Sequence, residues 1–476
     1  MKPAQKFPPK QRITIVGTGQ VASLVAGLLI KKNRELDKEI QLIKEKRELD
    51  FENKIGELES KKVEISILGK SDDSVSFQEF KKKGFTLHFA NKLDFQLLDI
   101  KVTPDDFVTI TANPDEIGGQ DHVFIATKTY SHDQYLIDRI AALKKENPVL
   151  GLETTMILAQ NGIPCWLPIE SDDLNNPYLD SEMVRSIGEE NIVGCVLNFA
   201  CNNTITDKEI VCGVNTPLDN IGMPLGRPDH NQNMTLAMKD LHLMFLGTGI
   251  RTAVRDHGIK QDVMYKLQIN VAINALTTLL SSNIEGLFTD DLCRKIVGKL
   301  SSEMNQLSKD MFGFDLRDFD SLEERLLPTS KHTTSTKKDF DEGKQVEFSI
   351  YKNVIELGKR FNKSGGQTLL IVSSIAEIFK KAINSRDQSG DVKEALKEVS
   401  QELSDLIQLV DISYNPGTPK RGSPLRSPTV LGMESVPFLN LTSLGVAGPS
   451  KSMSPNQSKT NSLKSKESKK ETTPNF

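Results

Sequence analysis

The chain has 476 residues, of which 60 are basic and 64 acidic, and a net charge of −4. This near balance gives no reason to expect nucleic acid or a membrane surface as the main partner, which leaves small molecules or proteins. The five cysteines are scattered and contain no C-x-x-C pair, a pattern typical of a reducing cytosol and not of a zinc site. The amino terminus lacks the apolar stretch of a signal peptide, so a cytoplasmic protein is expected.

The first predicted unit is a strand, a turn and a helix in RITIVGTGQVASLVAGLLIKK. Gly17 allows a sharp turn, Gly19 lets the backbone approach a pyrophosphate, and Ala22 lets the helix and the strand pack closely. Because the glycines follow a strand and open a helix, the motif favours a dinucleotide site over a purely structural turn. The residues expected to bind the cofactor here are Gly17, Thr18, Gly19, Gln20, Val21 and Ala22.

The next part of the chain predicts an α/β fold. Residues 33–62 are rich in charge with apolar residues at helical intervals, which predicts a solvated helix or helical hairpin. Strand patterns follow in VEISILGK, DFVTITAN, DHVFIATK, PVLGLETT and NIVGCVLNFA. Strands that alternate with helices predict a mainly parallel, doubly wound sheet of the Rossmann type. Because the second strand runs into Lys70, with acids only afterwards, NADP is favoured over NAD.

The character of the chain changes beyond Asp256, where apolar residues recur at helical spacing without strand patterns between them. The end of the chain is rich in Ser, Pro, Asn and Lys and cannot bury enough apolar surface to order itself. The predicted organisation is a Rossmann-type NADP-binding domain (11–255, with a charged helical insertion at 33–62), an all-helical substrate and catalytic domain (256–385), an extra amphipathic helix (386–412) and a disordered tail (413–476).

The segment KLQINVAINAL carries three polar side chains at intervals of four residues, Lys266, Asn270 and Asn274. At that spacing the three share one face of an otherwise apolar helix. This polar face is a candidate catalytic or ligand-binding site. The alternative is a solvated lysine with two asparagines that weaken the helix.

Six separated motifs occur in an order that resembles one family: GTGQVA, IATK, AQNGIP, PLGRPD, KLQINVAIN and HTTSTKKDFDEGKQVE. From about Arg12 to Ile383 the chain resembles the ketopantoate reductases (2-dehydropantoate 2-reductases). The resemblance implies an oxidoreductase with a Rossmann domain, a helical domain and NADPH as cofactor. It also implies the reduction of ketopantoate to pantoate in pantothenate and coenzyme A biosynthesis.

The same resemblance implies roles for individual residues. Lys266 matches the lysine that donates the proton, and general acid catalysis of this kind contributes roughly 10²- to 10⁴-fold. The implied substrate-binding residues are Asn161, Asn270, Asn274 and Ser335. The implied cofactor-binding residues outside the glycine turn are Lys70, Lys128, Asn161 and Glu347. His332 is expected to order the loop before Ser335.

Several features depart from the family pattern. The insertion at 33–62 is one, Thr336 stands where methionine is usual, and the segment between Leu167 and Glu189 is long. These departures leave the exact 2-oxo acid open. Two alternatives therefore stand, a reductase of another small 2-oxo acid and a non-catalytic NADP-binding scaffold whose insertion or tail binds a protein. A homodimer is also left open.

Overall fold

The computed structural model describes most of the chain between residues 7 and 414. The described ranges are 7–46, 50–89, 99–128, 134–144, 154–159, 161–167, 184, 186–188, 191–199, 201–207, 209–214, 221–227, 236–255, 259–327, 331, 333–361 and 369–414. His332, the first part of PVLGLETT and the predicted tail beyond residue 414 lie outside these ranges.

A large, mainly parallel sheet forms the frame of the amino-terminal half. Its strands are β1 (Gln11–Val16), β2 (Val63–Leu68), β5 (Thr109–Thr111), β6 (His122–Ile125), β7 (Thr155–Leu158), β8 (Ile192–Cys195), β11 (Gly222–Gly226) and β12 (Arg251–Arg255). The strand order is β12-β11-β8-β7-β6-β1-β2-β5. All neighbouring strands are parallel except β8 and β11. The predicted α/β class is confirmed.

The central strands are buried on both faces, as a parallel sheet covered by helices requires. Along β1, Ile13 and Ile15 belong to the core on one side of the sheet, whereas Val16 belongs to the core on the other side. Only Thr154 and Thr155 of the predicted strand PVLGLETT are described, and β7 runs from Thr155 to Leu158. Met156 and Ile157 pair with Val123 and Phe124 of β6.

A second sheet of four strands was not predicted. It consists of β3 (Phe85–Phe89), β4 (Ile100–Val102), β9 (Cys201–Ile205) and β10 (Ile210–Val214), in the order β4-β3-β10-β9. Its central pair is parallel and joins distant parts of the chain, with Thr86 beside Val211. Short strands whose partners are remote in sequence leave little local signal.

Five helices accompany the two sheets in the described part: α1 (Gln20–Lys46), α2 (Phe51–Ser60), α3 (Val75–Lys83), α4 (Gln134–Ala141) and α5 (Leu236–Phe245). The first part of α1 is buried from Ala22 to Ile30 and packs against the sheets. The charged stretch 33–62 forms the far part of α1 together with α2. These two helices share a small apolar cluster of Ile40, Ile43 and Leu58.

The carboxyl-terminal half is helical throughout its described residues. The helices are α6 (Ile259–Leu279), α7 (Ile284–Thr289), α8 (Asp291–Phe312), α9 (Phe319–Leu326), α10 (Ser335–Asp341), α11 (Ser349–Phe361), α12 (Leu370–Ser389) and α13 (Val392–Tyr414). The apolar pattern predicted over 348–383 is two helices, α11 and α12, because Leu369 ahead of α12 has a left-handed backbone with φ of 62°.

Helix α6 lies at the centre of the helical half. It packs against α8, α10 and α12 and also touches β11. Its residues are buried on almost every side, and one hydrophobic core continues from α6 to Val16, Leu68 and Ile125 on the sheet. The sheet and the helices therefore form one compact unit. In the part of the chain that the structure describes, no helix is long and apolar enough to cross a membrane.

Candidate active site

The glycine turn lies between β1 and α1. Gly17 has a φ of 112°, and its N–H donates to the carbonyl of Leu68 at 2.9 Å, which ties the turn to the end of β2. A Cβ added at Gly19 would meet nothing within 4 Å, so the backbone there borders open space. Helix α1 begins immediately afterwards, and its first N–H groups carry a partial positive charge. This open, electropositive turn has the shape that a diphosphate needs.

Lys70 follows β2 at the same edge of the sheet, and it is exposed. A buried arginine that the sequence analysis missed, Arg139 on α4, fixes the backbone there. Its guanidinium donates to the carbonyls of Lys70 at 2.6 Å and Gly69 at 2.7 Å. The buried Arg139 guanidinium thus fixes the backbone after β2 from the interior of the protein, while the Lys70 side chain is exposed.

Lys128, three residues beyond β6, joins the two halves of the protein. Its ammonium forms an ion pair with Asp339 on α10. The preceding residue, Thr127, lies beside the glycine turn, because a Cβ at Gly17 would come within 3.5 Å of its methyl carbon. The predicted cofactor-binding lysine is therefore next to the turn, and in this structure it is engaged by a carboxylate of the helical half.

Lys266, Asn270 and Asn274 share one face of α6, as their spacing predicts. Lys266 and Asn274 are half-buried, whereas Asn270 is only 7% exposed. The side-chain nitrogen of Asn270 is buried without a hydrogen-bond partner among the described residues. Because a buried unpaired amide costs roughly 1–3 kcal/mol, this group is a candidate for binding a ligand.

The surroundings of Lys266 favour its neutral form. Burial lowers the pKa of its ammonium to about 8, and the positive charge of Arg325 on α9 acts in the same direction. Among the described residues, no carboxylate pairs with Lys266 to raise the pKa again. A lysine with this pKa is protonated at neutral pH and can release its proton readily, which suits a general acid.

Ser335 and Asn274 are brought near each other by contacts between their helices. Ser335 is exposed at the first position of α10. The Thr334 side chain before it accepts from the Lys337 N–H at 3.3 Å and bonds the Thr277 hydroxyl of α6 at 2.9 Å. Thr277 lies three residues beyond Asn274, so the start of α10 adjoins the polar face of α6.

Asn161 and Glu347 also come from neighbouring segments. Asn161 is exposed, and Gly162 beside it has a φ of 88°. A Cβ at Gly162 would lie 3.0 Å from the Ile350 side chain at the start of α11, three residues beyond Glu347. Glu347 itself is buried. The structure thus places Lys70 and Lys128 near the glycine turn, Ser335 next to the polar face of α6, and Asn161 next to the start of α11.

Comparisons with known proteins agree with this arrangement. The family described as Ketopantoate reductase PanE/ApbA C terminal matches residues 258–378. A 2-dehydropantoate 2-reductase of Mesorhizobium japonicum is 25% identical over 268 residues, which is 54% of this chain and 76% of the relative. A 2-dehydropantoate 2-reductase of Aquifex aeolicus is 24% identical over 250 residues, 51% of this chain and 72% of the relative.

Solved structures share the fold. The 2-dehydropantoate 2-reductase from Geobacter metallireducens GS-15 superposes with a TM-score of 0.55 at 19% identity, covering 78% of this chain and 99% of that one. D-mandelate dehydrogenase in complex with NADH also gives a TM-score of 0.55, at 14% identity, with coverage of 79% and 99%.

The glycine turn on a parallel sheet, the half-buried Lys266 of the helical half and the sequence relatives together define the class of protein, a nicotinamide-dependent oxidoreductase. The order of the motifs and the match to the helical half narrow this further. Residues 258–378 match the ketopantoate reductase family and both sequence relatives are 2-dehydropantoate 2-reductases, so the chain is similar to this family, as its motifs predicted, and NADPH is the cofactor that the resemblance implies.

Proposed function

We propose that this protein uses NADPH to reduce the ketone of a small 2-oxo acid, with 2-dehydropantoate as the substrate and pantoate as the product. The reaction would belong to pantothenate and coenzyme A biosynthesis. The observation that carries the proposal is Lys266, a lysine whose pKa is lowered to about 8 on a face that also holds the unpaired amide of Asn270.

The residues of the glycine turn fit the cofactor. The open space at Gly19 would take the diphosphate, and the N–H groups from Gln20 onward would donate to it. Thr18 and Val21 would line the same turn, and Lys70 would meet the 2′-phosphate from the end of β2. When NADPH is bound, it supplies the hydride that reduces the ketone carbon.

Lys266 would supply the proton. As hydride reaches the ketone carbon, negative charge builds on the ketone oxygen, and an ammonium within hydrogen-bond distance stabilises that charge and then transfers its proton. Burial makes this interaction stronger than it would be in water. The lowered pKa also makes Lys266 a stronger acid than an ordinary lysine, which favours transfer of its proton to the oxygen.

The neutral side chains around Lys266 would orient the substrate. Asn270 offers its amide nitrogen, which has no partner among the described residues, Asn274 follows one turn along α6, and Ser335 stands at the start of the adjoining α10. Asn161 would contact both the cofactor and the substrate, and Glu347 would lie near the nicotinamide. Because amides and a hydroxyl carry no charge, they position the substrate without forming an ion pair with Lys266.

A second candidate is the reduction of another small 2-oxo acid by the same residues. Thr336, next to Ser335 on α10, is buried where methionine is usual in the family that the motifs resemble, so a smaller and more polar side chain stands there. A different side chain next to a substrate-binding residue would alter which 2-oxo acid is accepted without removing a catalytic group.

A substrate panel tests the proposal. Purified protein is given NADPH with ketopantoate, and separately with other branched and aromatic 2-oxo acids, while NADPH absorbance is followed. Turnover with ketopantoate at the highest kcat/KM supports the first candidate, and a higher kcat/KM with another 2-oxo acid supports the second. NADPH binding without oxidation of NADPH by any 2-oxo acid would leave the scaffold alternative.

A further inference from the structure

A second cation lies beside the proposed proton donor, and the sequence did not single it out. Arg325 projects from α9, near enough for its charge to act on Lys266. Its Nη2 donates to the side-chain oxygen of Asn198 at 3.2 Å, and its guanidinium carbon lies 4.7 Å from the centre of the Tyr265 ring. Asn198 comes from the sheet half, so Arg325 stands where the two halves meet.

Neither cation has a carboxylate partner within the part of the chain that the structure describes. Of the two acids that immediately precede Arg325 on α9, Glu323 accepts from Arg294 at 2.6 Å, and Glu324 is exposed. Two adjacent, partly desolvated positive charges repel each other, and an anion between them removes that cost. The pair of Lys266 and Arg325 therefore has the electrostatics of an anion-binding site.

We propose that Arg325 is a substrate-binding residue that takes the carboxylate of the 2-oxo acid and restricts this enzyme to anionic substrates. The inference rests on the proposed function, since it names the group of that same substrate which Arg325 binds. In a 2-oxo acid the carboxylate and the ketone are on adjacent carbons. Adjacent cations match this arrangement, with Arg325 on the carboxylate and Lys266 on the ketone oxygen.

An arginine at position 325 suits this role better than a lysine would. A guanidinium presents several N–H donors in one plane and binds a carboxylate through two parallel hydrogen bonds. Tyr265 stacks on that plane, and Asn198 engages one end of it. The orientation of the fork is thus fixed before the ligand arrives, while the N–H groups that Asn198 does not engage remain for the carboxylate.

Arg317 provides a matched control. Its guanidinium carbon also lies 4.7 Å from the centre of the Tyr265 ring, but its side chain is exposed, and its charge is not among the causes that lower the pKa of Lys266. Replacing Arg317 therefore removes a cation stacked on the same ring without removing one from the proposed anion site.

The first test is steady-state kinetics with ketopantoate and with its neutral amide. Arg325→Gln is expected to raise KM for the acid on the order of 10- to 100-fold, as loss of a charged hydrogen-bonded contact does, and to change KM for the amide far less. Arg325→Lys should recover part of the loss, and Arg317→Gln should behave like the parent. An unchanged KM for the acid in Arg325→Gln, or an equal rise in Arg317→Gln, would overturn the inference.

The second test does not depend on turnover. Binding of oxamate, an anion that cannot be reduced, is measured by calorimetry in the presence of NADP⁺, and circular dichroism confirms that each variant is folded. In one outcome the parent binds oxamate, Arg325→Gln does not, and the parent reduces no 2-oxo acid. That result would support the anion site at Arg325 and contradict the proposed function. If the parent reduces ketopantoate and Arg325→Gln binds oxamate as tightly as the parent, the function stands and the role of Arg325 is wrong. Absence of both turnover and oxamate binding in the parent contradicts both.

Discussion

Arg325 lies 4.7 Å from the ring of Tyr265, the residue before Lys266, and its positive charge adds to the effect of burial in lowering the pKa of Lys266 to about 8. The two residues come from different helices, α9 and α6, and their meeting depends on how those helices pack. The pKa of Lys266 is thereby close enough to neutral pH for the side chain to be protonated and still to release its proton. The consequences of this relationship can be measured.

The first prediction concerns pH. Reduction needs protonated Lys266, so kcat/KM, which reports the pKa of the free enzyme, should be level below the pKa of about 8 and decline above it, by about tenfold per pH unit. Because the pKa is lowered, the decline begins at a lower pH than it would for an ordinary lysine. Arg325→Gln removes one of the two causes of the lowered Lys266 pKa and should move the decline to higher pH, whereas Arg317→Gln should leave the pH of the decline unchanged. A decline at the same pH in Arg325→Gln would show that its charge does not act on Lys266.

The second prediction separates a binding amide from a structural one on the same helix. Asn270→Ala should lower kcat/KM strongly while changing the free energy of unfolding little, because the buried Asn270 amide nitrogen has no hydrogen-bond partner among the residues that the structure describes. Gln268→Ala should do the reverse. Its amide nitrogen donates to the Ser301 hydroxyl at 2.8 Å and to the carbonyls of Ser301 and Arg317, so we expect a loss of roughly 1–3 kcal/mol.

Urea unfolding and steady-state kinetics of both variants check this pair. The interpretation of Asn270 would be wrong if its alanine variant lost stability and kept its activity.

The sequence predicted the elements whose signal is local. The strand, the glycine turn and the helix around Gly17 follow a residue spacing that the backbone geometry of the turn requires. The four-residue interval from Lys266 to Asn274 places these side chains on one face of α6. Both features were found where they were predicted. The assignment of roles to these residues stays a prediction, as do a homodimer, a cytoplasmic location and a protein partner.

Features that depend on remote contacts were missed. Arg325 reaches Asn198, a residue 127 positions earlier, and nothing in the sequence around Arg325 distinguishes it from a solvated helix arginine. The pairing of Thr86 with Val211 in the second sheet is equally remote. In each case tertiary packing, and not a local period, brings the groups together.

The third prediction compares two glycines in the turn. Gly17→Ala should destabilise the fold by about 1–3 kcal/mol, because its φ of 112° is strained for any residue with a Cβ. Gly19→Ala should leave the melting temperature unchanged, since the added carbon would meet nothing within 4 Å. It should nevertheless weaken NADPH binding, because the methyl group would occupy the space of the diphosphate.

Thermal melting and titration of NADPH fluorescence measure the two effects. Equal NADPH affinity of Gly19→Ala and the parent would place the diphosphate elsewhere.

The fourth prediction concerns the ion pair of Lys128 and Asp339. If Lys128 binds the cofactor, the carboxylate of Asp339 competes with the cofactor for its ammonium. Asp339→Asn should then bind NADPH at least as tightly as the parent, whereas Lys128→Ala should bind it more weakly. Asp341→Asn, which breaks the pair of Lys337 and Asp341 on the same helix, is the control and should leave the affinity unchanged.

NADPH titrations at low and high salt measure these affinities. Weaker binding in Asp339→Asn would mean that the ion pair orders the site and does not compete with the cofactor.

The account rests on Lys266 as the proton donor, and single-turnover reduction of ketopantoate by bound NADPH tests this most directly. Lys266→Ala should bind NADPH like the parent and reduce ketopantoate roughly 10²- to 10⁴-fold more slowly. Lys352→Ala, which removes an exposed lysine of α11, should match the parent. A Lys266→Ala variant that reduces ketopantoate at the parental rate would contradict the account.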